Sequence, residues 1–157
     1  MARPTGTKLI ASNRRARRNY EILETVEAGL VLRGSEVKSL RDAHVQLGDA
    51  YARIESGEAW LVSLHIAPYD RAQEHSGHEP ERRRKLLLHR GEIDRLRSIV
   101  DEQRLSLIPL SLYFKDGRAK VELALARGRK TYDKREVLAK RDAEREAARA
   151  MARPDRR

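Results

Sequence analysis

The chain has 157 residues, enough for one domain of ordinary size with an appendage but too few for two full domains. Hydrophobic residues make up 39% of it and charged residues 37%, a balance typical of a modest core under a heavily charged surface. The formal net charge of +10 attracts polyanions, and phosphate backbones are the commonest of these. Nucleic acid is therefore the expected partner.

The composition also argues against several other classes of protein. There are no cysteines, so neither a disulfide framework nor a thiolate metal site is expected. No apolar run is long enough to span a bilayer, and no basic helix has the bulky apolar face that binds an anionic membrane surface. The first residues lack the apolar stretch of a secretory signal, and the cytoplasm is the expected location.

Residues 1–19 are basic and turn-prone, without an apolar period, and are interpreted as an N-terminal arm. Arginines crowd its end at positions 14, 15, 17 and 18. Because guanidinium groups bind phosphate bidentately, the arm is either a phosphate contact or a plain disordered terminus. The body of the protein is expected to span residues 20–127 and a basic tail residues 128–157.

Two strands and a short helix are expected at the start of the body. Apolar alternation over residues 20–32 is broken at Glu27-Ala28-Gly29, which predicts two strands joined by a tight turn. Ser35 is a suitable N-cap for the helix that follows. Lys38 and Arg41 lie three residues apart on that helix and are expected to project from one side of it.

The middle of the chain predicts a hairpin, a loop and a second helix. Alternation over residues 50–66 is interrupted by Ser56-Gly57, which indicates a hairpin. Residues 67–84 combine prolines with many charges, so we expect a long loop with the run Arg82-Arg83-Arg84 on a solvated face. A short apolar segment at 85–88 and an amphipathic helix over residues 91–102 follow.

The last hairpin is the strongest local pattern, because two alternating segments flank Asp116-Gly117, a pair suited to a type I′ turn. Counting the segments gives about six strands with two interspersed helices and no βαβ rhythm. We therefore predict a mainly β fold, a six-stranded antiparallel barrel of the oligonucleotide-binding (OB) type with a basic C-terminal tail. The OB assignment is an analogy with short, curved, basic β-barrels.

No sequence pattern supports a catalytic mechanism. His75 and His78 with Glu79 superficially resemble a metal site, and a metal-dependent nuclease or hydrolase built on them is the alternative from another class. These residues lie among glycine and proline without an obvious third ligand, so a solvated loop is expected there. Glycine-rich phosphate loops and G-x-S-x-G motifs are absent, and we expect no enzyme activity, no metal and no cofactor.

Five segments together form a more specific pattern than any one of them. They are NRRARRNY (13–20), EAGLVLRGSEVKSLR (27–41), GEAWLV (57–62), RKLLLHRGEIDRL (84–96) and LYFKDGRAKVELALARGRKTYDKR (112–135). In this order the segments closely resemble the small protein B (SmpB) family of SsrA-binding proteins, the partners of transfer-messenger RNA in bacterial ribosome rescue. The resemblance covers nearly the whole chain.

The resemblance implies an OB-type barrel that binds the tRNA-like domain of transfer-messenger RNA and helps deliver the alanylated RNA to ribosomes stalled without a stop codon. The further partners that it implies are the decoding centre and mRNA channel of the small ribosomal subunit, and elongation factor Tu in the delivery complex. It implies an adaptor that catalyses nothing, and we expect a monomer. A generic ribosomal or tRNA-binding barrel is the other non-enzymatic alternative.

The RNA-binding positions of the family map by motif onto Glu27, Leu87 and Lys120. Lys120 suits a phosphate or base-edge contact, and Glu27, expected in a tight turn, suits accepting hydrogen bonds from base amino groups or holding a basic neighbour. Leu87 is expected either to shape the surface or to belong to the core. Further candidates rest on motif membership and charge: Asn13, Arg15, Lys38 and Arg41.

The tail matches the Gly-Lys-Lys and Asp-Lys-Arg elements of the family, with one lysine replaced by arginine. Between them, Tyr132 is expected to stack on a base near the decoding centre, where the resemblance implies an aromatic or histidine ring. The resemblance thus implies ribosome contacts for Gly128, Arg129, Lys130, Tyr132, Asp133, Lys134 and Arg135.

Residues 134–152 consist mainly of strong helix formers, with only Val137, Leu138 and Met151 as bulky aliphatic side chains. So small an apolar face is not expected to dock on the barrel, and an isolated helix of this length is marginal in water. The tail is therefore predicted to be disordered when free and helical when bound in an RNA-lined channel.

Overall fold

The computed structural model describes residues 6–69, 78–129 and 131–152, and within these ranges it has nine strands and four helices. The strands are β1 (Thr7–Ser12), β2 (Tyr20–Leu30), β3 (Val45–Gln46), β4 (Tyr51–Glu55), β5 (Glu58–Val62), β6 (His65–Ile66), β7 (Arg84–Leu87), β8 (Ser106–Lys115) and β9 (Arg118–Gly128). The helices are α1 (Ala16–Asn19), α2 (Gly34–Arg41), α3 (Arg90–Gln103) and α4 (Thr131–Ala152).

Six of the strands close into an antiparallel ring in the order β8-β4-β5-β7-β2-β9, because β9 pairs back with β8. One edge of β8 pairs with β9, and the other pairs first with β4 and then with β1. Strands β3 and β6 form a separate two-stranded sheet. The mainly β, antiparallel prediction is thus confirmed, while β1 pairs beside the ring and β3 and β6 lie outside it.

Irregular pairing explains how long strands curl into a ring. The register shifts within residues 9–11, 22–24 and 109–111. An extra residue on one strand bends that strand and increases its twist. Pro109, which has no N–H to donate, stands at one of these interruptions.

Both predicted two-residue turns are present. Ser56 and Gly57 have φ angles of 50° and 76°, and Asp116 and Gly117 have φ angles of 51° and 81°. Positive φ at both central residues defines the type I′ turn, whose twist matches that of the flanking strands.

The predicted break at Glu27-Ala28-Gly29 is wrong, because β2 runs through it as one strand of eleven residues. Gly29 is extended rather than left-handed, and the reason for a glycine here is close packing. A Cβ atom on Gly29 would lie 3.2 Å from the Cβ atom of Leu87 on the neighbouring strand β7.

Part of the predicted N-terminal arm belongs to the folded structure. Residues 7–12 form β1 against β8, and Ala16 of α1 is buried in a small apolar cluster with Ile108 and Leu110. This cluster covers the outer side of β8, which explains why four consecutive residues, 107–110, are buried instead of every second one. The division of the chain at residues 19 and 127 stays a prediction.

Helix α3 agrees with the predicted helix, and α2 begins one residue before the predicted N-cap. Arg33 is the N-cap residue of α2, and its backbone N–H donates to Oε1 of Glu36 over 2.7 Å. The hydroxyl of Ser35 is used elsewhere, in a 2.8 Å hydrogen bond with Nδ1 of His78.

The main core fills the inside of the ring. Leucines from the strands meet there with Leu40 of α2 and Leu96 of α3, all of them almost completely buried. Over the described ranges, no helix is long and apolar enough to cross a membrane.

Candidate nucleic-acid interface

A surface groove of about 390 Å³ brings together the three residues that the resemblance marks as RNA-binding. We call it the β2 groove. Its lining consists of Glu27, Gly29, Leu87, Leu88, His89, Glu92 and Lys120. Residues from strands β2, β7 and β9 and from the start of α3 thus converge, although they are far apart in the sequence.

Strand register explains the convergence. Gly29 of β2 lies opposite Lys120 on β9 and opposite Leu87 on β7, so these three positions form one row across the sheet. Because Gly29 has no side chain, the side chain of Leu87 packs directly over its backbone.

Glu27 is held in place by two donors. The hydroxyl of Tyr113 donates to its Oε2 over 2.5 Å, and Nζ of Lys115 lies 3.5 Å from its Oε1. The hydrogen bond from Tyr113, with the charges of Lys115 and Lys120, holds the pKa of Glu27 below its usual range. Partial burial and the same hydrogen bond raise the pKa of Tyr113. Glu27 therefore presents an oriented carboxylate from a strand, not from the tight turn expected for it.

Leu87 and Lys120 differ in how they meet solvent. Leu87 is 55% exposed, which places it on the surface and not in the core. Lys120 is half-buried and lies across β8–β9 from Tyr113. The β2 groove is thus lined by the apolar side chain of Leu87, the ammonium group of Lys120 and the carboxylate of Glu27.

A bidentate ion pair fastens α3 to the sheet beside this groove. Nη1 and Nη2 of Arg95 donate to the two carboxylate oxygens of Glu24 over 3.0 and 2.7 Å. The hydrogen bond from Arg95 lowers the pKa of Glu24. The pair holds α3, whose first turn supplies Glu92 to the groove, against β2.

Asn13 and Arg15 lie at a different place. They line a second cavity of about 460 Å³, together with Asn19 and Asp49. Nδ2 of Asn13 donates to the backbone oxygen of Pro109 over 3.0 Å, so its amide also holds α1 against β8. Arg15 is exposed.

Lys38 and Arg41 are both exposed on α2 and do not line the β2 groove. Nζ of Lys38 lies 5.5 Å from the ring centroid of Tyr69, a cation–π contact. The structure therefore brings together three of the seven predicted RNA-binding residues and distributes the other four over α1, α2 and their surroundings.

The tail begins at the body and continues as a helix. Gly128 ends β9 opposite Tyr20, and the N–H of Arg129 donates to the backbone oxygen of Asn19 over 2.8 Å. Lys130 lies outside the described residues. Tyr132, Asp133, Lys134 and Arg135 fall in the first turns of α4, and Arg135 is exposed. The predicted helix is present, and its dependence on binding stays a prediction.

A buried charge cluster was missed by the sequence analysis. Glu36 and Arg84 are both 0% exposed, and Nε of Arg84 donates to Oε2 of Glu36. Nη2 of Arg82 donates to Oε1 of Glu36 over 2.5 Å, and Nη1 of Arg84 donates to the oxygen of Leu64 over 2.6 Å. The solvated face predicted for residues 82–84 is therefore wrong for Arg84. The alternation along β7 could have predicted the burial of Arg84, because Arg84 and the buried Leu86 point to the same face of the sheet.

Arg83 does reach the surface, where it stacks on an aromatic ring. Its guanidinium carbon lies 4.0 Å from the ring centroid of Trp60, and its Nη1 donates to Oε2 of Glu55 over 2.8 Å. The stack covers the outer side of the β4–β5 hairpin.

His78 has a structural position. It is buried, its Nε2 lies 3.0 Å from the backbone oxygen of Ile66, and its Nδ1 pairs with Ser35. Because a carbonyl only accepts, Nε2 carries the proton that donates to Ile66. The solvated loop expected at this position is therefore wrong for His78. His75 lies outside the described residues, and within those residues no group of three His, Cys, Asp or Glu side chains is placed to hold a metal ion.

Comparison with known proteins agrees with the segment pattern. A sequence model of the family described as SmpB protein matches residues 10–153. The chain belongs to the SmpB protein family. The SsrA-binding protein of Frankia casuarinae is 57% identical over 153 residues, covering 98% of this chain and 96% of the relative. That of Desulforudis audaxviator is 59% identical over 143 residues, covering 91% and 93%.

A solved structure gives the same result for the fold. A chain from the work "tmRNA-SmpB: a journey to the center of the bacterial ribosome" superimposes with a TM-score of 0.66 and 48% sequence identity. The superposition covers 82% of this chain and 93% of the solved SmpB chain. The resemblance noted in the sequence is therefore confirmed over most of the chain.

Proposed function

We propose that this chain is an RNA-binding adaptor that binds the tRNA-like domain of transfer-messenger RNA and brings it to stalled ribosomes for trans-translation. The observation that carries the proposal is the β2 groove, in which positions 27, 87 and 120 meet from three strands. The SsrA-binding names of the relatives and the SmpB structure support the same function.

The body supplies the RNA-binding surface. We assign the closed six-stranded ring to the OB type of barrel, a fold that binds single-stranded and structured nucleic acids on its outer face. Within it, the β2 groove is the primary contact. Asn13, Arg15, Lys38 and Arg41 lie outside this groove, and the exposed cations of Arg15, Lys38 and Arg41 add affinity without sequence selection.

The tail supplies the ribosome contact. Residues Gly128, Arg129, Lys130, Tyr132, Asp133, Lys134 and Arg135 are proposed to reach the decoding centre, with α4 continuing into the empty mRNA channel. The twenty-two residues of α4 span about 33 Å as a helix. Arg135 and the side chains of residues 138–152 are exposed although α4 contacts α1, so most of the helix surface is open to RNA.

The proposal includes elongation factor Tu in the delivery complex, a monomeric protein in the cytoplasm, and no cofactor or catalysis of its own. The adaptor role is supported by the family assignment. In this role the protein contributes affinity and placement, while the chemistry belongs to the RNA and the ribosome.

The first experiment is a competition for the full-length protein between the tRNA-like domain of transfer-messenger RNA and an ordinary tRNA. Transfer-messenger RNA is expected to win, and Lys120→Ala to lose roughly tenfold or more in affinity, since a hydrogen bond from a charged group contributes about 1.5–3 kcal/mol. Lys8→Ala removes the same charge from exposed β1 and is the matched control. Equal competition by ordinary tRNA would instead support a generic tRNA-binding barrel.

A second experiment separates the tail from the body. Replacing Asp133, Lys134 and Arg135 by alanine is expected to abolish rescue of ribosomes stalled on an mRNA without a stop codon, while RNA affinity is kept. Alanine at Lys8, Arg97 and Asp101, three exposed residues of the same types in the body, is the control. Equal rescue by both variants would contradict the role assigned to residues 133–135.

A further inference from the structure

A basic pocket lies where the tail helix passes the body. Helix α4 contacts α1, and a cavity of about 460 Å³ is lined by residues of both helices. We call it the junction pocket. Its lining includes Ser12, Arg14, Arg17, Ser111, Glu122 and Arg141. Arg14 and Arg17 belong to the body and Arg141 to α4, so cations from both parts of the chain line one space.

The charges of the junction pocket are unbalanced. Three guanidinium groups line it against the single carboxylate of Glu122, which leaves an excess of two positive charges. Within the described residues, none of these three guanidinium groups forms an ion pair. Arginine keeps its charge at every physiological pH, so Arg141 repels Arg14 and Arg17. The contact between α4 and α1 is therefore expected to need an anion between the two helices.

Apolar packing does little to offset this repulsion. Leu138 lies three residues before Arg141 and therefore on the same side of α4. It is 38% exposed, whereas Met151 near the end of the helix is 90% exposed. The side of α4 that includes Leu138 and Arg141 is thus the side turned toward the body. Because the side chains of residues 138–152 are all exposed, these residues bury too little apolar surface to hold the helix in place.

The polar groups of the junction pocket suit a phosphate. Guanidinium groups bind phosphate oxygens through pairs of hydrogen bonds, and the hydroxyl groups of Ser12 and Ser111 supply further donors. Asn13 also lines the pocket, and its amide donates to the backbone oxygen of Pro109, which holds this wall against β8. The excess of two positive charges matches the one or two negative charges of a single phosphate group.

The junction pocket and the β2 groove are neighbours on the outer face of the sheet. Alternation along β9 places Lys120, which lines the groove, and Glu122, which lines the pocket, on one face about 7 Å apart. Glu27 of the groove lies directly opposite Glu122 on the adjoining strand β2. The backbone of an RNA bound in the β2 groove is therefore within reach of the junction pocket.

We propose that the junction pocket binds one phosphate group, held by Arg14 and Arg17 from the body and by Arg141 from α4, and that this phosphate fixes α4 against α1. The source of the phosphate is the backbone of the RNA that occupies the β2 groove, because the two sites share one face of the sheet. Binding of RNA to the body thereby sets the direction in which the tail leaves it. The source rests on the proposed function, whereas the site itself does not.

The test measures the distance between α4 and the body in the full-length protein. The chain has no cysteine, so Gln103→Cys at the end of α3 and Ala148→Cys in α4, both at exposed positions, take two spin labels and no others. Double electron–electron resonance then compares chloride, inorganic phosphate at the same ionic strength, and the tRNA-like domain transcript. Phosphate and the transcript are each expected to narrow a broad distance distribution to one peak, and chloride is expected to leave it broad.

Three variants of the labelled protein show whether the junction pocket is the site. Arg141→Gln removes charged hydrogen bonds to the anion, so the phosphate concentration needed for the narrowing is expected to rise about tenfold. Glu122→Gln removes the carboxylate from the pocket and is expected to lower that concentration several-fold. Arg149→Gln, about two turns further along α4 and outside the pocket, is the matched control and is expected to behave like the parent.

The outcomes separate this inference from the proposed function. An equally broad distribution in chloride, phosphate and the transcript would overturn the inference. An equal response of Arg141→Gln and Arg149→Gln would also overturn it, because the anion would then act elsewhere. Narrowing by phosphate but not by the bound transcript would support the site and reject the RNA of the β2 groove as its source. If the transcript is not bound at all, the proposed function fails, and the phosphate titration still decides the site.

Discussion

Replacing Glu36 by glutamine is expected to destabilise the protein strongly. Glu36 is 0% exposed and accepts hydrogen bonds from Arg82, Arg84 and the N–H of Arg33. The glutamine amide has nearly the same volume but no charge, so it leaves the guanidinium of Arg84 buried without its counter-ion. Removing one partner of a buried ion pair typically costs about 3–5 kcal/mol of unfolding free energy.

Urea unfolding followed by fluorescence of Trp60, the single tryptophan, measures this change. With an m-value of about 1.5 kcal/mol per M, the midpoint is expected to fall by about 2–3 M. The control is Glu24→Gln, which breaks an ion pair with Arg95 at 41% and 44% exposure and is expected to change stability by about 0–1 kcal/mol. If the two variants shift the midpoint equally, the buried cluster does not have the role derived for it.

The same residue gives a prediction for pH. Burial alone would raise the pKa of Glu36, but the hydrogen bonds from Arg82, Arg33 and Arg84 outweigh it and hold the pKa below the usual 4.5. A group with a depressed pKa in the folded state stabilises above its unfolded value, and this stabilisation is lost as pH falls through the folded pKa. Below pH 4.5, the stability of the parent protein is therefore expected to fall more steeply than that of Glu36→Gln. Parallel slopes would contradict the depressed pKa.

Two further variants probe contacts described above. Gly29→Ala places a Cβ atom 3.2 Å from that of Leu87, so a loss of about 1–3 kcal/mol and weaker RNA binding are expected. Gly91→Ala, in helix α3 with open space around it, is expected to raise stability by up to about 1 kcal/mol and to keep RNA binding. Calorimetry and RNA titration measure both, and a Gly29→Ala variant as stable as the parent would refute the close approach. His78→Ala leaves the hydroxyl of Ser35 and the carbonyl of Ile66 without their ring partner, which is expected to remove about 1–3 kcal/mol. A chelator is expected to leave the melting temperature of the parent protein unchanged. A lower melting temperature would instead support the alternative of a metal site at His75, His78 and Glu79.

Local patterns were enough for the elements that are determined locally. Asp116-Gly117 specifies its turn because both residues tolerate positive φ, and the apolar spacing of α3 specifies its buried face. The closure of the ring follows from pairing between distant segments, and periodicity contains no information about which strand meets which. The predicted count of about six strands is too low against the nine in the described ranges, and the order of the strands in the ring was therefore not predictable.

Two residues show why the candidate site was only partly predictable. Gly29 was assigned to a turn, but what requires a glycine is contact with Leu87 from another strand, and such a contact leaves no local pattern. Arg84 was assigned to solvent because charged residues are rarely buried, and its partner Glu36 is 48 positions away. Both errors come from tertiary contacts that override a sound local preference.

Strand β9 connects the two working parts of the molecule. It has Lys120 of the β2 groove near one end and Gly128, where the tail begins, at the other. The eight steps between them amount to about 26 Å of strand at roughly 3.3 Å per residue. Hydrogen bonds to β2 and β8 along its length keep this distance fixed. Strand β9 therefore sets a fixed distance between an RNA bound in the groove and the residue at which the tail begins.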